Sequence, residues 1–197
     1  MIFAYPNSDA QRRHGPEGYT SYESFRPWLR DEFTFRCVYC LKRETWGQVT
    51  AEFELDHFQP QAVAPTRTVD YFNLVYSCRR CNAVKQDQLI DDPQALLTEK
   101  LVSFSVDGSI VGDNDKVCRL IRQLDLNSPM LQKWRVRWMR IVQLAEERDP
   151  SLYSQLVGFP DDLPNLGHLR PPSNSRAEGI EQSWYTRKQH GLLPKAY

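Results

Sequence analysis

Apolar positions change their period along the chain. From Tyr22 to Phe33 they recur at Tyr22, Phe25, Leu29 and Phe33, the spacing of one helix face, with Pro27 in its first turn or at a kink. In VTAEFELDHF, residues 49–58, the pattern becomes the alternation of a half-buried strand: Glu54 and Asp56 share one face, Phe53, Leu55 and His57 the other. If that strand stops at Asp56, parity no longer fixes the side on which His57 projects. Residues 59–68 contain Pro60 and Pro65 and read as a loop. YFNLVYS, residues 71–77, predicts a second short strand, running into CRRCNAVKQDQLI, a knuckle that opens a helix.

Downstream, LVSFSVDGSIVG is a hairpin pattern with Asp107 and Gly108 as its turn. Val117, Leu120, Ile121 and Leu124 mark a helix from Asp115 to Leu124. A longer helix runs from Pro129, capped by Ser128, to Arg148. On it Met130, Trp134, Trp138, Ile141 and Ala145 form an apolar stripe, and Lys133, Arg137 and Arg140 a basic one. Residues beyond 149 are rich in Pro, Gly and Asn, with scattered aromatics such as Phe159, Trp184 and Tyr185. They predict an irregular tail over the domain with one short helix near Ile180 to Gln189. At the other end residues 1–19 are polar, with Pro and Gly, and read as an arm over the surface or free of it. The expected division is 1–20 arm, 21–112 core, 113–148 helical extension and 149–197 tail.

Composition narrows the classes. A chain of 197 residues suits one domain with attached segments; 41% hydrophobic and 25% charged residues place it among soluble globular proteins. The formal net charge is zero, so binding to a polyanion must rest on local clusters. No run reaches the roughly 20 apolar residues of a membrane span, and MIFAYPNSDAQRRHG has no signal-peptide core. A cytoplasmic location follows as the expectation, where thiols stay reduced and paired cysteines serve as metal ligands more often than as disulfides.

Cys37 with Cys40 and Cys78 with Cys81 form two CxxC pairs. Each pair can turn in a tight knuckle, and four sulfurs converging at about 2.3 Å from one ion make a tetrahedral zinc site. The competing reading, a thioredoxin-like redox CVYC, has no use for the second pair. Four thiolates leave no open coordination position, so this zinc is structural. Cys118 is left over and reads as a small buried residue.

Inside this frame the chain carries Asp56–Pro60 as DHFxP, Asn73 followed by Leu74, Cys78–Asn82 as CxxCN, and Lys85. In that order these elements resemble the HNH endonucleases, the ββα-metal fold, in the subtype stapled by a four-cysteine zinc ribbon. The resemblance covers Cys37 to Lys85. It implies an α+β fold: a ββα-metal core with flanking helices and an irregular C-terminal tail. It also implies metal-dependent hydrolysis of phosphodiester bonds, with DNA the expected substrate and RNA the alternative, leaving 5′-phosphate and 3′-hydroxyl ends.

Residue by residue, the resemblance makes His57 the general base, suited by an ordinary pKa of about 6.5. Asp56 and Asn82 would bind the catalytic cation, and Asn73 would orient His57, unless it is only a turn residue. Many members carry His where this chain has Asn82; an oxygen ligand there favours Mg²⁺ or Mn²⁺ over a second zinc. Glu54 is a candidate outer-sphere carboxylate or an exposed strand residue. Arg79, Arg80 and Lys85 are candidate phosphate contacts, which position a nucleic acid without reading its sequence. Lys133, Arg137 and Arg140 extend that track or form a solvated face.

The hairpin, the LDLNSPML connection and the long helix more loosely resemble stand-alone bacterial HNH proteins, some of which act with a partner ATPase in phage defence. That likeness makes the C-terminal half a candidate surface for a partner protein or the substrate. A reading from another class is a non-catalytic zinc-ribbon module, a nucleic-acid binder or adaptor in which Asp56 and His57 are structural. A cleavage assay separates the two.

Overall fold

Alternation from Phe53 onward becomes strand β1 (Phe53–His57), which pairs antiparallel with β2 (Leu74–Cys78), His57 opposite Leu74. The structure, a computed structural model, describes residues 2–7, 12–47, 52–173 and 177–197. The expected strand positions Val49, Thr50 and Ala51 lie outside the described residues. Because pairing continues through His57, parity holds to the end of the strand. Glu54 and Asp56 turn toward helix α2 (Arg79–Lys85), where they meet Asn82 and Lys85. His57 turns the other way, its ring edge-on to Tyr22.

A two-stranded ribbon is marginal in water and needs covering. Here β2 is buried along its whole length. Helix α2 lies on one side, and α1 (Arg26–Glu32) packs against β2, contributing buried Trp28 and Leu29. A single 3-10 turn at Tyr22–Phe25 leads into α1, and Pro27 occupies its first turn.

A short helix α3 (Pro93–Leu96) then precedes the hairpin β3 (Val102–Phe104) and β4 (Ile110–Gly112). Gly108 takes φ +80 in the turn, and a Cβ there would come within 2.4 Å of the Gln132 carbonyl. Glycine thus lets the turn rest directly on helix α5 (Pro129–Arg148). Between them α4 (Asp115–Gln123) buries Val117, Leu120 and Ile121, capped by Asn114. Ser128 caps α5 by accepting from the Leu131 N–H.

The inward face of α5 keeps Trp134, Trp138 and Ala145 of the expected stripe but not Met130 or Ile141. Leu131, Arg135, Val142 and Ala145 are its buried residues, whereas Met130 is 64% and Ile141 37% exposed. Arg135 joins that face, its guanidinium donating to the carbonyls of Gly108 and Leu126. Those carbonyls, in a turn and a connection, have no ladder partner to satisfy them, and a buried arginine supplies the donors. An apolar periodicity cannot register a polar residue used this way.

Both ends of the chain are also more integrated than their composition suggests. Phe3 and Tyr5 are buried, contrary to an arm over the surface. The Phe3 ring contacts Trp46, Phe104 and Trp134, and the Tyr5 hydroxyl donates to the Tyr39 carbonyl. The segment plugs the gap between the first cysteine knuckle, the second hairpin and α5. At the other end, helix α6 (Pro150–Val157) forms where irregular chain was expected, with Asp149 as its cap. The single helix expected near the C-terminus is two, α7 (Ala177–Glu181) and α8 (Trp184–Gln189), the second restarted by the Ser183 cap. Among the described residues no helix is long and apolar enough to cross a membrane.

If the arm is part of the core, Phe3→Ala should cost about 3–5 kcal/mol, the usual loss for a buried phenylalanine. Met130→Ala, on the outer face of α5, should stay within about 0.5 kcal/mol. Urea unfolding of the two variants checks this, and equal midpoints would return the arm to the surface.

Candidate functional site

The first cysteine pair sits in a tight knuckle. Cys37 N–H donates to the Lys42 carbonyl and Leu41 N–H to the Cys37 carbonyl, with Leu41 at φ 61. Val38 N–H reaches the Tyr76 carbonyl, which ties the knuckle to β2. The second pair begins where β2 ends: Cys78 is the N-cap of α2 and Cys81 lies in its first turn. All four sulfurs are buried and lie within 4.8 Å of one another.

Cys40 and Cys78 Sγ are 3.7 Å apart. That is far beyond a disulfide's roughly 2.05 Å and close to the sulfur separation of about 3.8 Å set by tetrahedral Zn–S bonds of about 2.3 Å. The four-cysteine cluster could hold a zinc ion. Burial pushes the Cys37 thiol up, while hydrogen bonds from Cys37 and Cys40 pull the Cys78 thiol down. Thiols this crowded share protons rather than ionise together, and a cation is what lets all four become thiolates.

The second group of side chains lies on the α2 side of β1. Asp56 is 4% exposed; its Oδ1 lies 3.0 Å from Lys85 Nζ and its Oδ2 accepts from the Tyr39 hydroxyl at 2.6 Å. Burial pushes the Asp56 carboxyl above its ordinary value, and Lys85 and Tyr39 pull against that. Asn82 Nδ2 donates to Glu54 Oε2 at 2.6 Å, and Arg79 Nε stands 3.9 Å from the other Glu54 oxygen. The structure therefore brings Glu54 onto Asn82 and Lys85 onto Asp56.

On the opposite side His57 has its Nε2 at 2.8 Å from the Thr68 carbonyl, with the Gln61 amide at 3.3 Å from Nδ1. A carbonyl only accepts, so Nε2 must carry the proton and Nδ1 the lone pair. Asn73 is fully buried. It accepts from Gln59 N–H and donates to the carbonyls of Gln59 and Arg67. It pins both ends of the loop whose Thr68 carbonyl holds His57, so it reaches His57 through backbone rather than directly.

Residues 37–88 match the family model of the HNH endonuclease. No curated protein matches the chain. The HNH segment thus begins at the first cysteine knuckle and ends just beyond α2, and it contains every group described above except the partners from α1 and its turn.

Within the HNH segment the expected phosphate contacts part company. Arg79, with its side chain 78% exposed, faces solvent. Arg80 donates to the carbonyls of Leu124 and Asp125 and pairs with the Asp125 carboxylate, fastening α2 to the connection ahead of α5. Lys85 is 1% exposed and donates to the His57 carbonyl as well as facing Asp56, so it is not set out toward a phosphate. A lysine one turn along α2 from Asn82 points back under β1 because that is where an unpaired buried carboxylate waits. Three participants were missed from sequence: Tyr39, Gln61 and Thr68. Only Tyr39 carried a signal, as a hydroxyl inside the CVYC knuckle; the other two lie in a stretch that reads simply as loop.

Two outcomes follow. Elemental analysis should find one zinc per chain, and a strong chelator at neutral pH should remove it with a large drop in melting temperature; an unchanged melt after removal would separate the cysteines from the fold. Lys85→Met should cost about 3–5 kcal/mol by leaving Asp56 buried without its cation. Chemical denaturation of the double variant Lys85→Met/Asp56→Asn should show less than the sum of the two single losses.

Proposed function

We propose that this protein is a metal-dependent endonuclease that hydrolyses phosphodiester bonds in DNA. The observation that carries the reading is His57 with Nε2 committed to the Thr68 carbonyl, which leaves Nδ1 as an oriented base inside a segment matching the HNH endonuclease family.

Nδ1 of His57 takes the proton of the attacking water, and the Thr68 carbonyl stabilises the imidazolium that results. Gln61 covers the ring and keeps it from turning. Asn73 holds the loop so that the Thr68 oxygen stays in place. Asp56 and Asn82 are the residues assigned to hold a divalent cation, and an oxygen donor set of carboxylate and amide fits Mg²⁺ or Mn²⁺. When bound, that ion supplies charge neutralisation at the scissile phosphate and the departing oxygen. A carboxylate has about four acceptor positions, so Asp56 can serve while still bonded to Tyr39 and Lys85. Glu54, in contact with Asn82, orients the amide that would carry its oxygen to the ion. Arg79 is the exposed cation next to this group and the one assigned to a neighbouring phosphate. With net charge zero, affinity for duplex in bulk is expected to be weak, which favours a targeting partner or a structured substrate.

A second reading has one specific support. Asp56 is satisfied by Lys85 and Tyr39, and Asn82 by Glu54, as in a purely structural polar network of a zinc-stapled binding module. A single experiment divides the two. Purified protein with plasmid DNA and Mg²⁺ or Mn²⁺ should yield nicked or linear product with 5′-phosphate ends. His57→Ala should lower that rate by about 10²- to 10⁴-fold, the usual worth of a general base, with its melting temperature kept. Cleavage that survives the substitution removes His57 from the chemistry, and binding without cleavage of DNA or RNA under either metal selects the binding module.

A further inference from the structure

Arg36 and Arg43 face each other as partners of an isolated antiparallel bridge that closes the first cysteine knuckle. Their guanidinium carbons lie 4.9 Å and 4.4 Å from the centroid of the Tyr197 ring, and that of Arg43 also lies 5.3 Å from Trp46. Arg43 is 3% exposed. Its Nη1 donates to the Val157 carbonyl at 3.1 Å, while the Nε of each arginine is buried without a partner among the described residues. The neighbouring carboxylates Glu44 and Asp162 are both taken by Arg30. A buried and a half-buried guanidinium thus stand side by side, and among the described residues no side-chain carboxylate forms a salt bridge with either, an arrangement that costs free energy unless something negative completes it.

Beside them is a cavity of about 450 Å³, lined by both arginines, Tyr153, Tyr197 and apolar residues including Met139 and Val142. The Tyr197 hydroxyl is buried against Arg43 and Thr45. Glu146, the acid along this wall, is exposed. The volume falls in the range of roughly 300–1,000 Å³ typical of small-molecule sites. Two arginine forks with phenolic donors offer more hydrogen bonds than one carboxylate can accept and suit the terminal oxygens of a phosphate. The apolar wall suits an uncharged body attached to it.

We propose that this cavity binds a small phosphate monoester of nucleotide size, its phosphate held between Arg36 and Arg43. The site is separate from His57 and Asp56 and does not depend on the nuclease reading.

Isothermal titration of the full-length protein at constant ionic strength tests it, with AMP, adenosine and inorganic phosphate as probes. AMP should bind, inorganic phosphate should bind more weakly, and adenosine should bind at least about tenfold more weakly than AMP, the worth of a charge-assisted contact. Arg36→Gln should weaken AMP by about tenfold or more. Arg43→Gln should do the same where its melting temperature is retained. Tyr153→Phe, which removes one hydroxyl from the cavity wall, is the milder companion and should weaken AMP by less. Absence of heat with both AMP and phosphate, equal affinity for adenosine and AMP, or unchanged AMP affinity in Arg36→Gln would each overturn the proposal.

Discussion

Four sulfurs brought to one point are the constraint on which the rest depends. β1 and β2 form a ribbon too small to hold its own register, and α2 has only seven residues. The knuckle of Cys37 and Cys40 grips β2 through Val38, and that of Cys78 and Cys81 is the junction of β2 with α2. Convergence of the thiols therefore fixes where α2 begins and how it lies against β1. The carboxylates of Glu54 and Asp56 meet Asn82 and Lys85 only because that angle is set.

The same frame reaches the site through one side chain. Tyr39, between the first two cysteines, donates its hydroxyl to Asp56. Burial opposes ionisation of Asp56, and Lys85 beneath it supplies the balancing charge. The two faces of β1 carry different groups. One carries carboxylates toward α2, the other carries His57 to a carbonyl held by Asn73. A four-cysteine cluster that could hold a metal ion and a buried polar network beside it are built from one stretch of chain.

What could be read in the sequence was local. CxxC spacing, the alternation of FELDH, the turn at Asp107 and Gly108 and the cap at Ser128 act over a few residues, and the elements they predict formed at those places. What could not be read was long-range satisfaction of polar groups. Arg135 sits on the inner face of α5, where two distant carbonyls accept from it. Lys85 turns inward for Asp56 although its position on the helix suits a surface phosphate contact. Phe3 and Tyr5 fill a gap that exists only once the knuckle, hairpin and α5 are assembled, and no composition of the first residues announces it. His57 was legible as a candidate from its neighbours, but its proton position depends on Thr68, eleven residues away in a loop without pattern.

The central claim is that a closed thiolate site frames a second, open one. Anomalous diffraction from crystals grown with Mn²⁺, recorded at the zinc and manganese edges, tests it most directly. The account predicts a zinc peak among Cys37, Cys40, Cys78 and Cys81 and a manganese peak in contact with Asp56 and Asn82. Zinc beside Asp56, or manganese bound elsewhere with the carboxylate still closed onto Lys85, would contradict it.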